Sequence, residues 1–133
     1  MAQKDIGNKT PLHELKTTEQ VMKYYDEWSK NNKYNNDMLE WEYSGPKETS
    51  KTLSKYQNNK DIKIYDAGCG SGLVGIELKK YGFNYFDGAD ISKELLNQVP
   101  DNLYNKLEQI DLNKKIDKED DFYDVVMCVG TFT

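Results

Sequence analysis

Arginine is absent from this chain: all 18 basic residues are lysines, against 23 acidic ones, for a formal net charge of −5. Bidentate recognition of guanine or phosphate is mostly arginine work. Sequence-specific binding of nucleic acid is therefore not expected. Cysteine is scarce as well. Cys69 and Cys128 are too few and too far apart for a disulfide framework or a CxxC site. Both fall at the ends of predicted strands, where they could be neighbours, and they are read as reduced structural thiols. The single histidine, His13, lies in a polar stretch and is read as solvated. No apolar run approaches the ~20 residues of a membrane span. The first residues contain no apolar signal core, and Ala2 excludes myristoylation. The expectation is a cytoplasmic chain without a membrane partner.

Glycine, by contrast, is concentrated in one place. The stretch Ile62 to Gly75 reads Ile-Lys-Ile-Tyr-Asp-Ala-Gly-Cys-Gly-Ser-Gly-Leu-Val-Gly. A β-prone run ends at Asp66, breaks into a glycine-dense turn, and gives way to the helical pattern of Leu73, Val74, Ile76 and Leu78. Strand, glycine turn and helix make half of a βαβ unit. Glycine permits a left-handed backbone and lets a ligand lie against bare main chain. The first turn of the helix offers unpaired N–H groups. A nucleotide-like ligand follows from that geometry.

Asp66 narrows the choice. A dinucleotide fingerprint holds a pyrophosphate at this turn, and a carboxylate there would repel it by ~4 kcal/mol at ~4 Å and an effective dielectric of ~20. An ammonium or sulfonium would be attracted. S-adenosylmethionine (SAM) carries both and has no phosphate. The competing reading is an NAD(P)-binding Rossmann protein, because Gly70-Ser71-Gly72-Leu73-Val74-Gly75 spells GxGxxG. That register begins late relative to the strand and leaves Asp66 facing the phosphates.

The rest of the chain supplies the frame. Residues 1–16 are read as a flexible N-terminal arm and 17–133 as one domain. Thr17 and Gln20 fit a capping box, followed by Val21, Tyr24, Tyr25 and Trp28 on one helical face. The Asn-rich residues 30–36 predict a turn. Met38, Leu39, Trp41 and Tyr43 predict a short helix ended by Gly45-Pro46, and Thr49 to Tyr56 predict another. Gly82 is a candidate left-handed cap for the helix after the glycine turn. A second strand is expected over Phe83 to Ala89, a third within Leu103 to Ile110, and a fourth, buried on both faces, over Val125 to Val129. Asp90, at the tip of the second strand, lies where a ribose is held. It could instead simply cap the next helix, and Asp87 is the competing carboxylate.

Tyr65-Asp66-Ala67-Gly68-Cys69-Gly70-Ser71-Gly72 resembles the first motif of the class I SAM-dependent methyltransferases. With Met38-Leu39-Glu40-Trp41 and Cys128-Val129-Gly130-Thr131, the chain is similar to the methyltransferase-like family named for the Williams–Beuren chromosomal region. The resemblance implies an α/β, Rossmann-like parallel sheet with N-terminal helices and a methyl-transferring enzyme using SAM. Asp66 and the turn residues Gly68, Cys69, Gly70 and Gly72 would then bind the methionine end of the cofactor. Asp90 and Ile91 would meet the ribose, Asp111 and Leu112 the adenine, and Val129 would line the methionine part. Without the resemblance Asp111 reads as a turn aspartate. Tyr25-Asp26-Glu27-Trp28 matches an N-terminal helix that lies over the cofactor in the family, which would put Tyr25 on the ligand. Tyr34, arriving two residues late in that pattern, is the weaker candidate.

The resemblance runs from about residue 19 to 133 and covers only the front of the family's seven-stranded domain, strands one to four. The acceptor half is expected to be missing, leaving the fourth strand as an apolar edge that invites pairing with another chain. A non-catalytic SAM-binding fragment is the alternative to an enzyme. The acceptor, a small molecule or a protein, is not identified, no general base stands out and no metal site is expected.

Overall fold

The computed structural model describes residues 16–40, 44–119 and 121–129. Four parallel strands form one sheet: β1 (Lys63–Ala67), β2 (Tyr85–Asp90), β3 (Leu107–Gln109) and β4 (Val125–Met127), in the order β3-β2-β1-β4. Ahead of the sheet come helices α1 (Thr18–Ser29), α2 (Lys33–Glu40) and α3 (Gly45–Tyr56); α4 (Leu73–Lys80) and α5 (Lys93–Asn97) are the crossovers. The chain has the expected α/β Rossmann-like fold with four parallel strands and N-terminal helices.

Alternation along β1 divides the core in two. Ile64 points to one face and packs with Val74 and Leu78 of α4, Phe83, Phe86 and Leu53 of α3. Tyr65 and Ala67 point to the other face, where Ala89, Ile110, Leu112, Ile116 and Tyr123 meet them. In the described residues that second face is covered by irregular chain over residues 110–119 and 121–123 rather than by a helix. A third cluster, built on Tyr24, Trp28 and Met38, belongs to α1 and α2 and touches α4 through Leu73.

Several local expectations hold for the reasons given. The Thr17 hydroxyl accepts from the Gln20 N–H while the Gln20 side chain accepts from the Thr17 N–H, so α1 opens on a full capping box. Gly82 follows α4 in the left-handed region, with φ +88°.

Others are corrected. The Asn-rich turn is confined to a 3₁₀ turn over residues 30–32, where Asn31 and Asn32 take φ near +60°; α2 begins at once at Lys33. Gly45-Pro46 does not merely end a helix but opens α3, where a proline in the first turn sacrifices no hydrogen bond. The predicted tail of α2 at Trp41 and Tyr43 lies outside the described residues, as does nearly all of the expected arm over residues 1–16. The fourth strand is not buried on both faces: Val126 is 62% exposed, on the same face as Tyr65, where the described residues that cover Tyr65 leave it open. Cys69 is buried and Cys128 exposed, both as free thiols.

Candidate functional site at the glycine turn

Between β1 and α4 the backbone passes through three left-handed glycines, Gly68, Gly70 and Gly72, with φ of +78°, +54° and +91°. A side chain at any of them would be strained. The turn is folded back onto the end of β2. The N–H groups of Gly68 and Cys69 both donate to the Ala89 carbonyl, at 2.8 and 2.9 Å. The Gly70 N–H donates to Asp90 Oδ2 at 2.8 Å, and the Ser92 N–H to Asp90 Oδ1 at 2.9 Å. Burial raises the Asp90 carboxyl above the ordinary carboxylate range, while the N–H groups of Ser92, Gly70 and Ile91 pull the other way. Asp87 faces away, on the second side of the sheet, and accepts from the Tyr123 hydroxyl at 2.6 Å. Of the two carboxylates on β2, only Asp90 stands at the turn.

Asp66 lies beneath the turn and is fully buried. Its Oδ2 accepts from the Tyr104 hydroxyl at 2.6 Å, and its Oδ1 has no partner. Desolvation pushes this carboxyl up to about 7 against the opposing Tyr104 hydrogen bond, with Asp90 adding to the rise. Sequence reasoning missed Tyr104. Its trace was Gly75 and Gly88, glycines inside a helix and a strand: a Cβ on either would stand within 3 Å of the Tyr104 ring.

Helices α1 and α2 roof the strand tips. Tyr25 is half-buried and stacks on Trp28, with centroids 5.9 Å apart at 27°. Tyr34, the weaker candidate from sequence, comes closer to the turn: its hydroxyl is 3.8 Å from where a Cβ on Gly70 would sit. Tyr34 lines a cavity of about 20 Å³ with Gly68, Cys69, Ser71 and Val129, roughly room for one water. The roof is fastened by polar contacts. Ser71 Oγ donates to Asn35 Oδ1 at 2.5 Å, Ser92 Oγ to Asp26 Oδ1 at 2.6 Å, and Thr18 Oγ1 to Asp111 Oδ2 at 3.2 Å. Asp111 also accepts from the Asn113 N–H at 2.9 Å, which with the Thr18 bond holds its carboxyl below the usual range despite some desolvation. The Ile91 carbonyl accepts from the Gln109 amide at 3.0 Å.

A larger cavity, about 500 Å³, lies on the second face between Tyr65, Ala67, Leu112, Tyr123 and Val126. It holds neither the glycine turn nor the Asp66 and Asp90 carboxylates, so size alone does not locate the chemistry. Among the described residues no helix is long and apolar enough to cross a membrane, and no group of three metal-ligating side chains gathers.

The decisive comparison covers the strand-turn-helix unit and everything after it: residues 64–133 match the methyltransferase domain family. The chain belongs to that family. This methyltransferase domain is 27% identical over 125 residues to human methyltransferase-like protein 27, covering 91% of this chain and 50% of the relative. Its fold is similar to magnesium protoporphyrin IX methyltransferase from Synechocystis PCC 6803, a structure with bound SAM. There the TM-score is 0.61 at 19% identity, over 86% of this chain and 62% of that one. It is also similar to the plantazolicin methyltransferase BpumL in complex with S-adenosylhomocysteine (SAH), with a TM-score of 0.55 at 17% identity, over 84% and 49%. The methyltransferase domain thus spans half to about three-fifths of the proteins it matches.

Proposed function

We propose that this chain binds SAM at the glycine turn and transfers its methyl group to a small-molecule, peptide or protein acceptor. The observation that carries the reading is the electrostatic character of the turn. The N–H groups of Gly68, Cys69 and Gly70 are already taken by Ala89 and Asp90, and the Gly75 N–H by Tyr104. Two carboxylates, Asp66 and Asp90, border the same turn. A pyrophosphate would meet spent donors and repulsion; an ammonium and a sulfonium would meet an attractive field. This disfavours the NAD(P) alternative. The residues fit SAM in a further respect: the buried Asp66 Oδ1 has no partner within the protein, leaving an acceptor under the turn for a ligand ammonium.

In this reading Asp66 and the turn face the methionine end, Asp90 and Ile91 the ribose, and Asp111 and Leu112 the adenine. Tyr25 and Tyr34 close over the cofactor, and Val129 borders the methionine part. SAM supplies an electrophilic methyl on a sulfonium. The protein's share is to align that carbon with the acceptor and exclude water, which account for much of the rate enhancement in an in-line displacement. The absence of arginine disfavours nucleic acid as acceptor.

Calorimetric titration with SAH tests the binding, with Asp90→Ala and a parallel NADH titration. A defined SAH heat that is lost in the variant, with none from NADH, is expected; the reverse preference overturns the reading. A non-catalytic SAM-binding fragment is the second reading. Methyl transfer from labelled SAM to any acceptor excludes it. Through its exposed fourth strand the chain is also proposed to self-associate.

A further inference from the structure

The α5–β3 connection brings one ring to the centre of the site. Asn105 is clamped to β2 in both directions: its N–H donates to the Phe86 carbonyl at 2.9 Å, and its side-chain oxygen accepts from the Phe86 N–H at 3.0 Å. The Gly88 N–H donates to the Lys106 carbonyl at 2.9 Å. Held by its neighbours, Tyr104 projects over β2. Its ring meets Phe86 edge-on, with centroids 5.0 Å apart at 87°. It fills the space left by the missing side chains of Gly75 and Gly88, and only 7% of the residue is exposed.

The hydroxyl at the end of that ring does two things. It donates to Asp66 Oδ2 at 2.6 Å and accepts from the Gly75 N–H at 3.1 Å. Gly72, the N-cap of α4, has no side chain with which to cap the helix. Tyr104 therefore supplies from a distant loop the acceptor that an N-cap serine or aspartate would provide. One oxygen joins Asp66, near the end of strand β1, to the first turn of α4.

We propose that Tyr104 is a positioning residue for the cofactor: by fixing one oxygen of Asp66 and the N-terminus of α4, it holds the other Asp66 oxygen and the glycine turn in their binding geometry. The inference rests on the SAM reading above. Tyr104 acts through Asp66 and the first turn of α4 and has no role as an acid or base.

The ionisable groups facing Asp66 are Tyr104 from the α5–β3 loop, Asp90 from β2 and Cys69 from the turn itself. Asp90 is in turn influenced by Asp26 of α1. Because Asp66 titrates near 7, affinity for a ligand bearing an ammonium should rise as pH increases through that value. Removing the Tyr104 hydroxyl takes away a hydrogen bond to the ionised form, so the rise should move to higher pH, by about one unit.

The test is SAH titration across pH 5.5–8.5 with the unaltered chain, Tyr104→Phe, Asp66→Asn and the double variant, each checked for a cooperative thermal transition. We expect Tyr104→Phe to bind about tenfold more weakly at neutral pH, with its profile displaced upward. In the Asp66→Asn background the same change should have a clearly smaller effect, since only the bond from the Gly75 N–H then remains to be lost. An unchanged profile in Tyr104→Phe, or an equal loss in the Asp66→Asn background, overturns the proposal while leaving the SAM reading intact. No SAH binding by the unaltered chain overturns both. A measurement on the unaltered chain covers the case in which Tyr104→Phe does not fold. The Tyr104 hydroxyl proton, buried between two partners, should give a slowly exchanging NMR resonance that shifts on saturation with SAH. A resonance that stays fixed overturns the proposal.

Discussion

Ser92 and Asp26 lie 66 residues apart, and a single hydroxyl joins them. Ser92 Oγ donates to Asp26 Oδ1 at 2.6 Å while accepting from the Leu95 N–H at 3.2 Å, so the cap of α5 is also the fastening of α1. Ser92→Ala removes both bonds and should cost about 2 kcal/mol of unfolding free energy. Asp26→Ala, which leaves the cap intact, should cost less. Urea denaturation of the two variants measures the difference; equal losses would mean that the cap contributes nothing.

Asp66 makes the stability of the chain depend on pH. Its folded-state value of about 7 lies above the model-compound value of 3.8. Its contribution is therefore fully present below pH ~4 and is lost as pH rises through about 7, where the buried carboxyl must ionise. The loss is on the order of 4 kcal/mol. Asp66→Asn should raise the melting temperature at pH 8 and flatten the stability profile between pH 4 and 7, while weakening SAH binding. Melting curves across that range check it; a variant less stable than the parent at pH 8 would contradict the assignment.

Gly75→Ala sets helix propensity against packing. Alanine should favour the interior of α4 by ~1 kcal/mol. Its Cβ, however, would stand 2.5 Å from Tyr104 Cε1 and 2.7 Å from its hydroxyl. Overpacking of this kind costs ~1–3 kcal/mol, and a ring anchored by Asn105 has little room to yield. Net destabilisation is expected by denaturant titration, and in a Gly75→Ala, Tyr104→Leu double variant the loss should be smaller than the sum of the two single losses, since the clash and the ring go together.

Asn35→Ala should speed ligand entry. The cavity under Tyr34 is about 20 Å³, too small for a cofactor, so the site must open, and the Ser71–Asn35 bond is one of those that tie α2 to the turn. Stopped-flow binding of SAH should show an association rate several-fold higher than for the parent, as lid opening governs access. An unchanged rate would mean that α2 is not the gate.

Val126→Lys addresses the edge strand. A lysine there obstructs strand pairing, so the weight-average mass from sedimentation should fall towards that of the monomer if β4 mediates self-association. The 62% exposure of Val126 indicates that the substitution itself should cost little stability.

Much of this was legible in the residues. The strand-turn-helix unit around Gly68, the capping box at Thr17 and the left-handed Gly82 each follow from local chemistry, which sequence carries directly. The Asn-rich turn proved shorter than composition suggests because two left-handed asparagines suffice to redirect the chain. Val126 reads as a core residue because apolar runs signal burial; whether a cover exists is decided by segments far away. Tyr104 was invisible for the same reason. It touches Gly75 and Gly88, at separations of 29 and 16 residues, and nothing in its neighbours Leu103 and Asn105 announces it.

Hydrogen bonds fasten α1 and α2 to the strand tips, while the apolar cluster of Tyr24, Trp28 and Met38 meets α4 through Leu73. Water can remake those hydrogen bonds, so that fastening costs less to undo than an apolar contact of equal area. A ligand that must wait for the two helices to lift will therefore associate at a rate scaled by the fraction of molecules standing open. Mutations far from the turn that only alter how tightly the two helices rest will then read as changes in association rate.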